Sequence, residues 1–363
     1  MRVIDDRFIP GVKGINLARS LNLIEADRVG RNFMYEEYTS FHAHYLACLL
    51  IAALLVCTAA HSAEPEPAIA DEPQAGTKIV HPIDQAVMVY VPAGWFTMGL
   101  DQRDANDIAR QLGADNYETL WMWEAMPRRK VYAGGFFIDQ YELTIVRWLA
   151  FMKANPKFTL ANDKMSHHFA NPRLHVYPVA AVQWHEAQRY ANWSGKRLPT
   201  ETQWEKAARG TDGRFFPWGN QFDLRKGNFQ RTKATYARVG LYPEGASPFG
   251  VMDMVGNQYE YTSEWVEPYP NNPEAKRMKA YWAQQNVCLR GGSWYHGQQS
   301  CYAAKRFGLP QGTTYYHVGF RTVWEPPAGY FKSDAFKKAR KAVPAREKEL
   351  QQAFALFDAT KTE

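Results

Sequence analysis

The side chains best suited to chemistry in this 363-residue chain are its four cysteines and ten histidines. A thiolate can bind a soft metal ion, and an imidazole can bind copper or zinc. Cys48 and Cys57 lie inside an apolar run, which leaves Cys288 and Cys301 in the rest of the chain. These two thiols could pair in an oxidising compartment, although two cysteines do not make a disulfide framework. We find no metal-binding spacing among His167, His168, His175, His185 and His317.

The overall composition limits the class of protein. Lys and Arg number 43 and Asp and Glu number 37, so the formal net charge is +6. This excess is too weak, and too evenly spread, to indicate nucleic-acid binding. Hydrophobic residues make up 46% and charged residues 22%, which excludes an intrinsically disordered chain. Twelve Trp, 25 Gly and 21 Pro indicate a loop-rich fold held by large aromatic anchors.

An apolar run at 45–60 (YLACLLIAALLVCTAA) bears on location. It is shorter than the roughly 20 residues of a membrane helix but matches the apolar core of a signal peptide. Small residues at 60–63 offer a cleavage site, and translation could instead begin at Met34. We therefore predict a periplasmic or secreted protein, with a membrane tether through the apolar run if that run is kept. Residues 1–63 form this extension, and 64–80 form a Pro- and Glu-rich linker.

Two strand pairs are predicted at the start of the folded region. The first is 87–91 with 95–99, joined by a turn at 92–94, and the second is 131–132 with 136–138.

Helices are predicted at 145–153, at 184–193 and between Thr200 and Gly210. Thr200 and Gln203 have the spacing of a capping box, which marks the start of the third helix. Helical signals are then few until the C-terminal tail, so irregular loops should dominate. Large aromatic residues are predicted as core anchors, namely Trp184, Trp193, Trp204, Trp218, Trp265 and Trp294.

The tail, 326–363, is predicted to be a basic amphipathic helix. It carries eight basic and five acidic residues, with Leu350, Phe354 and Phe357 on one face. Three uses remain open: a helix packed on its own domain, a contact with a partner, or a contact with an anionic membrane.

A series of short motifs then follows in a fixed order. The motifs are FIDQYELT (137–144), GKRLPTE (195–201), WEKAARG (204–210), PWGN (217–220), VGNQYEY (255–261), RGGSW (290–294) and GFR (319–321). Together they resemble the formylglycine-generating enzyme (sulfatase-modifying factor) family over about 87–323. The resemblance implies one irregular α+β domain at 81–325, related to the C-type-lectin-like fold, with little regular secondary structure.

The resemblance also implies an oxygen-dependent copper centre and shows where this chain departs from it. Catalytic members hold copper(I) with two cysteines in a C-x4-C arrangement after the RGGS motif; those positions here are His296 and Cys301. An imidazole and a thiolate could still hold copper or zinc, but two-thiolate ligation cannot form. Ser293 matches a residue near the family's oxygen site, while Ser300 replaces a tyrosine. The departure argues against genuine cysteine-to-formylglycine conversion. The alternatives are an exposed loop histidine at 296 and a buried, small apolar side chain at 301.

The resemblance also implies a calcium site, and this chain matches more of that site's positions than it does of the copper centre. In the family, the segment around the VGN motif binds calcium through side-chain and carbonyl oxygens; the matching positions are Asp253, Gly256, Gln258 and Glu260. Oxygen-only ligands on an irregular loop suit a hard cation. The alternative is a metal-free, hydrogen-bonded loop.

Two functions from different classes follow. The first is an exported oxidoreductase-type member of the family, acting on an unknown peptide or small molecule, with Ser293, His296 and Cys301 lining its cleft. The second is a non-catalytic, calcium-stabilised binding or accessory module of an envelope complex, whose attachment could involve the basic tail.

Overall fold

The computed structural model describes residues 72–113, 121–161, 164–229, 235–282 and 285–359. The predicted export signal, its cleavage site and the alternative start at Met34 lie outside these residues. Within them, no helix combines the length and the apolar character needed to cross a membrane.

The first sheet joins the two ends of the folded region. Its strand order is β1 (Lys78–Val80), β2 (Val87–Val91), β5 (Phe136–Asp139) and β10 (Val323–Trp324), with every neighbouring pair antiparallel. All five residues of β2 are buried, because apolar side chains cover both faces of the strand. The late strand β10 pairs with β5 about 185 residues earlier, which closes the domain.

The second sheet consists of two antiparallel strands, β3 (Gly94–Met98) and β4 (Arg129–Ala133). The predicted strand pairs are therefore wrong, because β2 pairs with β5 and β3 pairs with β4. A physical reason lies in Lys206, whose Nζ donates to the carbonyls of Pro92 (2.6 Å) and Gly94 (2.9 Å). These carbonyls are satisfied by a side chain at the bend, so the chain leaves the first sheet and does not fold back on β2.

The third sheet supports the candidate site. Its order is β8 (Arg306–Pro310), β7 (Asn286–Arg290), β6 (Tyr259–Trp265) and β9 (Val318–Gly319). β6 runs antiparallel to β7 and parallel to β9. Loops fill most of the chain between these strands, as the sequence predicts.

Most of the α-helices are short. Their bounds are α1 Gln102–Leu112, α2 Ile145–Ala154, α3 Ser166–Ala170, α4 Trp184–Trp193, α5 Glu201–Arg209, α6 Ala275–Tyr281, α7 Asp334–Lys341 and α8 Val343–Ala359. Of these, α1, α5 and α7 begin at a residue whose side chain caps the helix. The three predicted helices are confirmed as α2, α4 and α5, and the Thr200–Gln203 capping box is formed. α1 has no predicted counterpart, although Asp101 and Asp104 form a capping box at its start.

Buried charges hold the first sheet to the helices. Asp84 and Asp139 share Arg147 and Lys196, with Lys196 Nζ 2.6 Å from Asp84 Oδ2 and 3.0 Å from Asp139 Oδ1. Burial alone would raise the pKa of Asp84, but the charges of Arg147 and Lys196 outweigh burial and hold that pKa well below its usual value. Two anions and two cations therefore balance in the core.

The tail helices pack on the domain. Phe354 and Phe357 are buried, with Phe354 against Tyr141 (6.0 Å between ring centroids) and Phe357 against Tyr177 (5.0 Å). Trp204 is the one predicted tryptophan anchor with no exposed surface; the others are partly buried against the core.

Candidate functional site

The RGGS motif forms a tight turn at the end of β7. Gly291 and Gly292 have φ angles of +94° and +77°, which disfavour residues with a side chain. A Cβ at position 292 would lie 2.3 Å from the carbonyl oxygen of Ser300. The two glycines therefore allow the segment that begins at Ser293 to lie directly against the segment that ends at Cys301.

Ser293 and His296 form a hydrogen-bonded pair beyond this turn. Ser293 Oγ lies 3.2 Å from His296 Nδ1; Ser293 is fully buried and His296 is exposed. The His296 ring makes edge-on contacts with Tyr259 (5.4 Å) and His317 (5.0 Å). A hydrogen bond at one ring nitrogen, such as that between Ser293 and His296 Nδ1, fixes the orientation of an imidazole and directs its other nitrogen toward a second contact.

Cys301 has a different environment, although it lies five residues away. Its side chain is fully buried, and its thiol donates to the carbonyl of Gly297 at 3.2 Å. Burial raises the pKa of the Cys301 thiol to about 12, so the thiol is protonated at neutral pH. Cys288 is also buried, and neither cysteine is in a disulfide.

A cleft of about 180 Å³ opens beside His296. Aromatic rings dominate its lining, which consists of Trp121, Tyr259, Tyr281, His296, Ser300, Lys305 and Phe307. Of the three residues predicted to line a cleft, His296 does so, whereas Ser293 and Cys301 are buried and are not among the lining residues. The lining residues can offer flat apolar surface, one ammonium group, one imidazole and the hydroxyls of Tyr259, Tyr281 and Ser300.

His317 extends this aromatic group, and sequence reasoning missed its role. Its ring stacks between Tyr295 (4.7 Å, 7° between planes) and Tyr315 (5.0 Å, 18°). Burial, helped by neighbouring His296, lowers the pKa of His317 to about 4, so the ring is neutral at pH 7. The available signal was the TYYHVGFR segment, in which aromatic residues cluster next to a family motif.

A second centre gathers buried carboxylates around Arg321. The Glu260 carboxylate accepts from Arg321 Nε and Nη2, both at 2.7 Å, and from Trp204 Nε1 at 2.8 Å. Burial raises the pKa of Asp253 to about 6. Burial, then the charges of Asp253 and Glu260, raise the pKa of Glu142 well above its usual value. Glu142 belongs to the centre although the sequence did not mark it.

Three of the four predicted calcium positions, Asp253, Gln258 and Glu260, lie at this centre. Asp253 Oδ2 accepts from the backbone of Gly240 at 2.7 Å, and Gly256 adopts a φ of +83°. The backbone N–H of Gln258 donates to Glu142 Oε1 at 3.2 Å.

These oxygens fit a hard divalent cation in charge and chemistry. Three buried carboxyl groups, Glu142, Asp253 and Glu260, surround Arg321, and Arg238 also acts on Asp253, so carboxyl groups outnumber guanidinium groups. Both oxygens of Glu260 already accept from Arg321, so this carboxylate would have to share its oxygens with the ion. Within the described ranges, no group of three or more His, Cys, Asp or Glu side chains is already arranged to coordinate a metal.

The residues do not fit the family's copper centre. One donor is an exposed imidazole bound to Ser293, and the other is a single buried, protonated thiol. Copper(I) prefers paired thiolates, and positions 296 and 301 offer at most one.

The small, mostly antiparallel sheets, the short helices and the long loops define the class as an irregular α+β domain of the C-type-lectin-like kind. The structure of PvdO from Pseudomonas aeruginosa has the same fold, with a TM-score of 0.52 and 23% identity over 70% of this chain and 100% of that chain. The sequence profile of the "Sulfatase-modifying factor enzyme 1-like domain" matches residues 76–326. The chain belongs to this family, so the expected family and fold are both confirmed.

Two curated relatives show how far the similarity extends. The chain is 28% identical to the formylglycine-generating enzyme of Mus musculus over 296 residues, which cover 66% of this chain and 75% of that protein. It is 27% identical to the uncharacterized protein YfmG of Bacillus subtilis (strain 168) over 250 residues, 57% of this chain. The match spans about half (48%) of YfmG.

Proposed function

We propose that this protein uses the family scaffold as an exported, calcium-stabilised binding module and does not form formylglycine. The observation that carries the proposal is the contrast between His296 and Cys301. The first is an exposed imidazole held by Ser293, and the second is a buried thiol with a pKa near 12. The protein has no paired thiolates at this position, so it lacks the donors for a two-thiolate copper(I) centre.

The cleft beside His296 is the proposed ligand site. Its rings favour a ligand with a planar apolar part, because aromatic stacking adds about 0.5–1.5 kcal/mol beyond buried area. Lys305 Nζ lies 5.9 Å from the ring centroid of Trp121, so a cation borders the aromatic surface. The proposed ligand is therefore a planar group with a negative charge, presented by a small molecule or by a protein of the cell envelope.

Calcium has a structural role in this proposal. Asp253 and Glu260, with the carbonyls of Gly256 and Gln258, would hold the ion next to Glu142. A divalent cation would offset the negative charge of these carboxyl groups. The backbone N–H of Trp294 donates to the carbonyl of Asn257 at 3.0 Å. This bond joins the loop at 253–260, which carries the proposed calcium ligands, to the segment that carries His296.

The location in the proposal comes from the apolar run at 45–60. Its length matches a signal peptide, and its retention would tether the domain to a membrane. An exported location would also supply calcium at the concentrations that extracellular and periplasmic modules use.

Copper titration tests the catalytic half of the proposal. Wild-type protein is mixed with copper(I) and a thiol reductant while oxygen uptake is recorded, with a Cys301→Ser variant as the control. We expect the same background uptake in both. Stoichiometric copper binding with oxygen uptake that disappears in Cys301→Ser would instead support the oxidoreductase function.

Fluorescent ligand binding tests the cleft. The probe is 8-anilinonaphthalene-1-sulfonate, which joins planar rings to one anionic group. Tyr281→Ala, in the lining, should weaken binding by about fivefold or more. Trp95→Ala is the matched control, because Trp95 is 56% exposed and Tyr281 55%, but Trp95 lies on β3 and is not among the residues that line the cleft. Equal effects of the two variants would contradict the proposed site.

A further inference from the structure

The helix α7 presents a continuous basic face outside the family domain. Lys337, Lys338, Arg340 and Lys341 are all exposed. At 100° per residue these four positions cover about 160° of the helix surface. Phe336 lies at the edge of this arc, about 40° from Arg340, and its ring is buried against Tyr330 and Phe331. The helix is therefore anchored through Phe336 and offers positive charge over the neighbouring arc.

Nearby acidic groups neutralise little of this charge. Asp334, the single acidic residue of α7, lies 2.9 Å from Lys337. In α8, Glu347 pairs with Lys78 at 2.6 Å and Glu349 pairs with Arg346 at 2.8 Å. The four basic side chains less Asp334 leave a net charge of about +3 on the face.

The basic face borders a shallow groove with an apolar floor. The groove measures about 480 Å³ and is lined by Phe331, Phe336, Lys337, Arg340 and Lys341. The Arg340 guanidinium carbon lies 5.7 Å from the Phe336 ring centroid. Cations beside exposed edges of aromatic rings suit a group that joins a phosphate to apolar carbon, as a phospholipid does.

We propose that the basic face of α7 docks on an anionic phospholipid surface. Chain connectivity favours this occupant over an acidic protein, because α7 packs on β1, the first strand of the domain. The 17 residues 61–77 separate β1 from the apolar run at 45–60, and they can span at most about 60 Å. A retained apolar run would therefore hold the basic face within reach of a membrane. This proposal does not depend on the ligand of the His296 cleft.

The expected loss of vesicle partitioning follows from the number of basic side chains that are removed. A basic side chain at an anionic lipid surface contributes about 1 kcal/mol, or roughly fivefold in partition coefficient. Removing Lys337, Arg340 and Lys341 should therefore lower partitioning by about 100-fold. The attraction acts over a Debye length, so added salt should weaken it.

The test is co-sedimentation of the full chain with phosphatidylcholine vesicles, with and without phosphatidylglycerol. The ratio of the two partition coefficients cancels the contribution of the uncharged apolar run. The variant Lys337→Gln/Arg340→Gln/Lys341→Gln is compared with a control of equal charge change, Lys130→Gln/Lys153→Gln/Lys279→Gln, whose residues are exposed elsewhere.

We expect wild type and control to prefer phosphatidylglycerol vesicles, and the α7 variant to lose about 100-fold of this preference. An equal loss in both variants, or no preference in wild type, would overturn the proposal. Binding of poly-glutamate that the α7 variant loses, without vesicle binding, would reassign the face to an acidic protein partner. Circular dichroism of both variants establishes that each is folded.

Discussion

If the native protein is treated with iodoacetamide at pH 8, Cys301 should react far more slowly than an ordinary cysteine. Alkylation requires the thiolate. Burial raises the pKa of Cys301 from its usual value near 9 to about 12. At pH 8 the thiolate fraction then falls from about one in ten to about one in ten thousand, so the rate should drop roughly a thousandfold. The lack of exposed surface at Cys301 slows the reaction further, because the reagent must wait for local opening.

The assay is peptide mass spectrometry after timed quenching, which separates the four cysteines. Denatured protein gives the unprotected rate. A His296→Cys variant is the matched control, because the introduced thiol occupies an exposed position in the same loop. Reaction of native Cys301 within about tenfold of that control, or protection of Cys301 by copper(I), would refute both the buried-thiol description and the function built on it.

Three further outcomes are expected. Lys196→Met should cost about 3–5 kcal/mol in urea unfolding, because it leaves the buried Asp84 short of a cation, while exposed Lys153→Met should change little. The pKa of His317 is lowered from 6.5 to about 4, so the native state binds fewer protons than the unfolded state between these values. Unfolding free energy should therefore fall as pH drops through that interval, and a His317→Phe variant should lose this slope. Chelation of calcium should lower the melting temperature by several degrees, and Asp253→Ala should abolish that response.

The sequence predicted local features of the fold better than its pairings. Helix ends depend on neighbouring residues, so Thr200 and Gln203 sufficed to predict the start of α5. Strand partners depend on distant groups, and the bend after β2 is fixed by Lys206, more than 100 residues away. No pattern around 92–94 indicates that ammonium group. Motif order was informative, because many weak signals in one sequence together specify one family.

The candidate site was only partly predictable for the same reason. His296 and the calcium positions lie in recognisable motifs, so they could be named from the sequence. The cleft also needs Trp121, Tyr281 and Phe307, which three separate segments supply. The burial of Cys301 depends on how those segments fold over it. The residue type alone does not distinguish a cysteine that binds metal as a thiolate from one that packs in the core.

Replacing one sulfur position by histidine also changes what the remaining thiol can do. An imidazole has two polar nitrogens, and burying either without a partner is costly. His296 meets this need at Nδ1 through Ser293, and its side chain lies at the surface. The charge of Lys305 favours the thiolate of Cys301 too little to offset burial, so Cys301 stays protonated in the core. The two positions therefore differ chemically: His296 lies at the surface as a polar contact, and Cys301 lies inside as packing.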